Sequence, residues 1–147
     1  MGYLSDFVRV PFRTAKKVVA ADNPRGRWDG IEGPSGLETM HLARLWCLAT
    51  SKISEQEFDA VEEQLSANYC EDEEGSWGVV LPQAFCALLS GLSGTERDRL
   101  GQDWSTSEEI AFDSIEPEAV RALLPQLCEL CQRAKSHSEQ VILRVRE

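Results

Sequence analysis

The chain has 147 residues, 42% of them hydrophobic, 27% charged and 7% aromatic, with a mean hydropathy of −0.31 and a formal net charge of −10. That is the composition of one ordinary globular domain spanning residues 1–147, long enough to bury a core without disulfides or a metal. It excludes collagen-like, low-complexity and disordered chains, and no apolar run approaches the ~20 residues of a membrane span.

Residues 3–10 alternate Leu4, Asp6, Val8 and Val10 against Tyr3, Ser5, Phe7 and Arg9, which predicts a strand ended by Pro11. Residues 14–21 predict a short helix with Ala15, Val18 and Val19 on one side. Residues 22–36, with Asn23-Pro24, Gly26, Gly30, Gly33-Pro34 and Gly36, read as one long loop. A helix with a wide apolar stripe follows over 37–50. The next helix has a marked start: Ser54 and Glu57 form a capping box, and Ile53 and Phe58 are spaced as a hydrophobic staple.

Glu71, Asp72, Glu73, Glu74 and Gly75 read as a loop, because like charges repel and glycine breaks regular structure. Residues 77–81 read as a short strand or an extended lead-in, and Pro82 suits the first position of a helix carrying Phe85, Cys86, Leu88, Leu89 and Leu92. Thr95 is expected to cap a further helix bearing Leu100 and Trp104. Pro117 opens the last helix, whose stripe runs Val120, Leu123, Leu124, Leu127, Cys128, Cys131 and Ala134, with Pro125 expected to kink or split it. Residues 140–146 alternate as a second strand. The fold class expected is α+β and predominantly helical, with five or six helices and the N- and C-terminal strands in one small sheet.

Charge is segregated along the chain. Residues 1–52 carry a net +3, residues 53–120 a net −15 and residues 121–147 a net +2. Between Lys52 and Arg97 there is no basic residue, while nine carboxylates accumulate from Glu55 to Glu74. Such a field repels nucleic acid and anionic membranes and attracts cationic surfaces. An acidic excess serves solubility too, but its segregation points to a basic protein partner. The basic residues Arg9, Arg13, Lys16, Lys17, Arg25 and Arg27 are too slight an excess to offset it, so no nucleic acid is expected.

Five cysteines, an odd number, and an N-terminus unlike a signal peptide suggest a reducing compartment, by default the cytoplasm. Cys128 and Cys131 form a CxxC, whose thiolates at this spacing can bind zinc or exchange disulfides. No second ligand pair accompanies it, and both cysteines stand at apolar positions of a helical stripe, where free Cys behaves as a small hydrophobe. The run Glu71, Asp72, Glu73 and Glu74 lacks the alternate spacing of a calcium loop. With only His41 and His137, and no nucleophile, phosphate-loop or dinucleotide motif, no catalytic residue, cofactor or metal ligand is assigned. Trp77 beside the acidic run, and Trp104 ahead of Glu108 and Glu109, read either as core rings or as anchors for a basic partner.

From residue 76 to 144 the order of features resembles that of small uncharacterised bacterial proteins with a domain of unknown function. The features are Trp77, Leu81-Pro82 opening a Leu-rich helix, Trp104 with Glu108-Glu109, Pro117 opening a helix, and an apolar strand over 141–145. Pro125 and Cys128 depart from the Leu/Ala-rich helix of that pattern. The resemblance implies no activity; acidic single-domain bacterial proteins of this kind include many toxin-neutralising immunity proteins. Two functional expectations follow. The first is a non-catalytic, immunity- or antitoxin-like protein that engages a basic partner through Glu71, Asp72, Glu73, Glu74, Trp77, Trp104, Glu108 and Glu109. The second is a small cytoplasmic enzyme or thiol/metal protein using carboxylates or Cys128 and Cys131.

Overall fold

The two ends of the chain meet. In the computed structural model, which describes residues 3–146, β1 (Leu4–Val10) pairs antiparallel with β5 (Gln140–Arg146), from Leu4 opposite Arg146 to Val10 opposite Gln140. Their alternation puts Phe7, Val141, Leu143 and Val145 on one face and Val8, Val10 and Ile142 on the other, and both faces are buried. Three internal strands extend the pair to a five-stranded antiparallel sheet in the order β2-β1-β5-β4-β3, with β2 at Gly30–Gly33, β3 at Tyr69–Glu71 and β4 at Trp77–Val80.

The class is therefore mixed, with one antiparallel sheet and mostly helical residues, but the expected count of elements is corrected. Among the described residues there are eight α-helices: α1 (Ala15–Ala20), α2 (Pro24–Arg27), α3 (Thr39–Ala49), α4 (Glu55–Leu65), α5 (Gln83–Ser90), α6 (Gly94–Ser105), α7 (Glu108–Phe112) and α8 (Pro117–Ser136). The expected loop over 22–36 instead holds α2 and the edge strand β2. Glycine hides such a strand from a pattern search, because it lacks the side chain that alternation is read from. Here it is also required: a Cβ at Gly30 would overlap the Phe7 carbonyl oxygen across the β1–β2 ladder.

The larger core lies between one sheet face and α3, α5, α6 and α8, where Trp46 stacks on Phe85 with ring centroids 5.0 Å apart. The helix α8 crosses this layer, burying Val120, Leu123, Leu124, Leu127, Cys128, Cys131 and Ala134 as its spacing predicts. It runs without interruption through Pro125, so the expected split does not occur. A proline within a helix costs about 3 kcal/mol, which burial of a stripe this long outweighs at roughly 1.5–3 kcal/mol per large apolar side chain. On the other sheet face α1 lays Val18 over Val8, Val10 and Ile142.

Helix starts follow side-chain chemistry, with three corrections. Ser54 Oγ accepts the Glu57 N–H at 3.1 Å while Glu57 Oε1 accepts the Ser54 N–H at 3.3 Å, as expected of the capping box. The staple does not form: Ile53 is 89% exposed, and Phe58 lies instead beneath the Arg44 guanidinium, 4.5 Å from its ring centroid. Ser93 rather than Thr95 caps α6, because its hydroxyl meets the Glu96 N–H at 3.2 Å and Glu96 returns a bond to the Ser93 N–H. Pro82 is the capping residue before α5, one position earlier than expected. Ser54→Ala should lower stability by about 0.5–2 kcal/mol, read as a lower melting temperature; an unchanged melt would show that α4 needs no cap.

Candidate functional site: an acidic hairpin at the sheet edge

Strands β3 and β4 pair Tyr69 with Val79, Cys70 with Gly78 and Glu71 with Trp77, and so raise the acidic run as the tip of a hairpin. Asp72 builds the turn. Its carboxylate Oδ1 accepts the Glu74 N–H at 3.0 Å and the Ser76 N–H at 2.9 Å, and its own N–H donates to the Ser76 carbonyl at 2.9 Å. Gly75 completes it at φ +92°, a left-handed conformation that glycine adopts without a Cβ clash. Glu71, Glu73 and Glu74 are left exposed on this frame.

The hairpin base is anchored by a buried cation. Arg144, on β5, is 4% exposed, and its Nη2 donates to the Ala21 carbonyl at 2.7 Å and to Ser76 Oγ at 3.4 Å. Burial pulls the Arg144 guanidinium below its ordinary value, with Arg146 adding to the effect. Next to the tip, Trp77 is half-buried against the main core, and the Tyr69 ring sits 5.8 Å from it with 49% of the residue exposed. The Tyr69 hydroxyl donates to Glu71 Oε2 at 2.9 Å. Tyr69 was absent from the residues expected of the site; its place two residues before Glu71 on an alternating strand is the signal that marks it.

The remaining expected residues lie elsewhere. Trp104 is fully buried, its indole Nε1–H donating to the His41 carbonyl at 2.9 Å, and so belongs to the core and not to a surface. Its place between α3 and α8 explains this: the Leu100-Trp104 face of α6 turns inward, away from Glu108 and Glu109 on α7. Glu109 forms a two-pronged bridge to Arg44, with both N···O distances 2.9 Å. Burial pushes the Glu109 carboxyl up, but the Arg44 fork and a backbone hydrogen bond together outweigh it and leave the group below its ordinary range. Glu108 alone of that set is exposed and outside the salt bridges, among the described residues.

The salt bridges among the described residues lie outside the stretch from Ile53 to Glu96. Arg9 binds Asp29 and Glu139, Arg133 binds Asp29, Arg25 binds Asp6 and Glu32, and Arg44 binds Glu109. Among the described residues, no salt bridge reaches any carboxylate between Ile53 and Glu96. On α4, Glu62 is half-buried, and burial, then Asp59 and Glu38, raise its carboxyl above the ordinary value. Among the described residues the carboxylates of the acidic segment are thus presented without a direct salt bridge, the nearest buried cation being Arg144 at the hairpin base.

Asp29 shows the opposite state. The Arg133 guanidinium hydrogen-bonds it at 2.7 Å and Arg9 at 2.6 Å, and these hold its carboxyl below the ordinary range against a smaller effect of burial. An Asp ionises near about 3.9 when unfolded, so this contribution is present above about pH 4 and is lost as pH falls through the lower folded value. Urea melts taken from about pH 5 down to about pH 2 should fall more steeply for the wild type than for Asp29→Asn. Parallel curves would show that the bridge contributes nothing.

His41, assigned no role from sequence, is the buried hub of the α3 start. Its Nδ1 accepts the Glu38 N–H at 2.9 Å, which puts the ring proton on Nε2, 2.7 Å from Asp113 Oδ2. A histidine beside a carboxylate suggests a general base, but here both nitrogens are engaged and neither presents a lone pair to a substrate. The arrangement ties α7 to α3. Cys128 and Cys131 are 0% and 1% exposed within the α8 stripe, and burial pushes the Cys128 thiol up to about 11. Among the described residues, no three His, Cys, Asp or Glu side chains converge as a ligand set for a metal ion. No helix among them is long and apolar enough to cross a membrane.

Compared with known proteins, the chain matches no family model, no curated protein and no solved structure.

Proposed function

We propose that this chain is a non-catalytic binding protein that engages a basic protein partner in the cytoplasm, in the manner of immunity or antitoxin proteins. The contact surface is the β3–β4 hairpin, with Glu71, Glu73 and Glu74 at its tip, Tyr69 and Trp77 beside it, and the outward carboxylates Glu55, Asp59 and Glu63 of α4 leading up to it. One observation carries the reading: the carboxylates from Glu55 to Glu74 have no salt-bridge partner within the described residues, whereas Arg9, Arg25, Arg44 and Arg133 are each matched to an acid. A field of one sign steers an oppositely charged partner and raises its association rate. Adjacent aromatic rings supply the desolvated anchor that charge alone does not. The cysteines are free, which supports a reducing compartment.

The reading is tested by immobilising the wild-type chain and a Glu71→Lys, Glu73→Lys, Glu74→Lys variant, and exposing both to a lysate of the source cells at low and high salt. A basic protein retained by the wild type at low salt, released at high salt and absent from the variant is the expected result. Identical retention by both baits would overturn it.

A further inference from the structure

Sequence spacing pairs Cys131 with Cys128, but the fold pairs it with Cys86. A cavity of about 330 Å³ opens between α5 and α8, walled by Phe12, Ala87, Ala134 and Lys135, and Cys86 and Cys131 both line it from the facing helices. Cys86 is half-buried, while Cys131 behind it is 1% exposed. Cys128, one helical turn before Cys131, does not reach this cavity.

We propose that Cys86 and Cys131 form a peroxide-reactive dithiol, with Cys86 the attacking sulfur and Cys131 the resolving one. The environment separates the two roles. The Cys131 thiol and the Val141 N–H both act on the Cys86 sulfur and hold it below its ordinary value against the effect of burial, as a thiolate requires. The Cys131 thiol is pushed far up by its neighbour and then by burial, and stays protonated as a donor to Cys86.

In the first step the Cys86 thiolate attacks one oxygen of hydrogen peroxide. The S–O bond forms, the O–O bond breaks, and the departing hydroxide takes the proton that Cys86 released. In the second step the Cys131 sulfur attacks the Cys86 sulfenic acid, so that the S–S bond forms and the S–O bond breaks. The hydroxide leaves as water with the Cys131 proton. Two thiols lose two electrons in total, and one peroxide becomes two waters. The product ties α5 to α8, two helices in direct contact in the native fold.

The test treats the reduced 147-residue chain with hydrogen peroxide and follows its intact mass. The wild type and Cys128→Ala should each lose two hydrogens, with a Cys86–Cys131 link found by fragmentation of the digested peptides. Cys131→Ser, which keeps a donor beside the Cys86 sulfur but cannot form the disulfide, should stop at a sulfenic acid on Cys86, captured by dimedone, and Cys86→Ser should show neither product. No loss of mass in the wild type, a link from Cys131 to Cys128, or dimedone capture at another cysteine in Cys131→Ser would overturn the proposal. The wild-type arm reads the outcome even where a substituted chain fails to fold. Partner capture by the hairpin is measured separately, so failure of either proposal leaves the other standing.

Discussion

Leu127→Asp should abolish cooperative folding. Leu127 is fully buried where α8 meets the main core, and a stripe of neighbours on the same helix is buried with it. Truncating such a leucine to alanine costs about 2–5 kcal/mol. An aspartate adds the cost of a buried polar group without a partner, or of the proton uptake that neutralises it, several kcal/mol more. Against a total stability of about 5–15 kcal/mol, the sum leaves no folded population worth measuring. Leu127→Ala is the control: it should still melt cooperatively, at a lower temperature. A soluble Leu127→Asp chain with a sharp melt would mean that this face of α8 is not the core.

Reversal of the hairpin charges should act on binding and spare folding. In Glu71→Lys, Glu73→Lys, Glu74→Lys, three exposed carboxylates become cations at the point where the partner first feels the field. Steering of this kind changes association rates by ~10–10³, so a loss of at least about tenfold in association rate is expected. The melting temperature should barely move, because exposed substitutions away from caps and buried pairs stay within about 0.5 kcal/mol. Asp72 is kept because its carboxylate accepts two backbone N–H groups in the turn. Asp72→Lys in addition should lower stability, a cost separable from its effect on binding. Wild-type association should slow as salt rises, since screening shortens the reach of the field to about 8 Å at physiological strength. Tyr69→Ala should instead speed dissociation, as loss of an anchoring ring does; Trp77→Ala should do so too, and should cost stability because that ring also packs on the core. An association rate unchanged by the reversal and flat in salt would make the acidity a matter of solubility alone.

The acidic run was legible as an exposed charged surface because no Lys or Arg is interspersed with it along the chain. Between Lys52 and Arg97 there is none, so neighbours in sequence remained neighbours in charge. Glu109 was not legible in that way. Its partner Arg44 lies 65 residues away and reaches it only because α7 sits on α3. Trp104 beside acidic residues read either as a core ring or as an anchor for a partner, and the fold decides for the core, because a helix face is set by what packs on it and α8 packs on α6. The CxxC was legible as part of the buried α8 stripe, but the neighbour of Cys131 across the cavity was not. A three-residue spacing puts two cysteines on one side of a helix, yet the thiol that Cys131 faces comes from α5.

What the sequence by itself determined are the features whose physics is local. The alternation of β1 and β5, the capping box at Ser54, the proline opening α8 and the stripe below it each depend on residues within a few positions of one another. Tertiary structure alone decided the features that need a distant surface. The glycine-rich β2 is a strand because β1 offers it a ladder, and α8 continues through Pro125 because the sheet and two helices hold its apolar face. His41 is a structural hub because Asp113 arrives from 72 residues away. Local preferences are worth tenths of a kcal/mol to about one per residue, whereas burying a single large side chain is worth roughly 1.5–3. Where the two compete, packing wins, and packing is written in the fold.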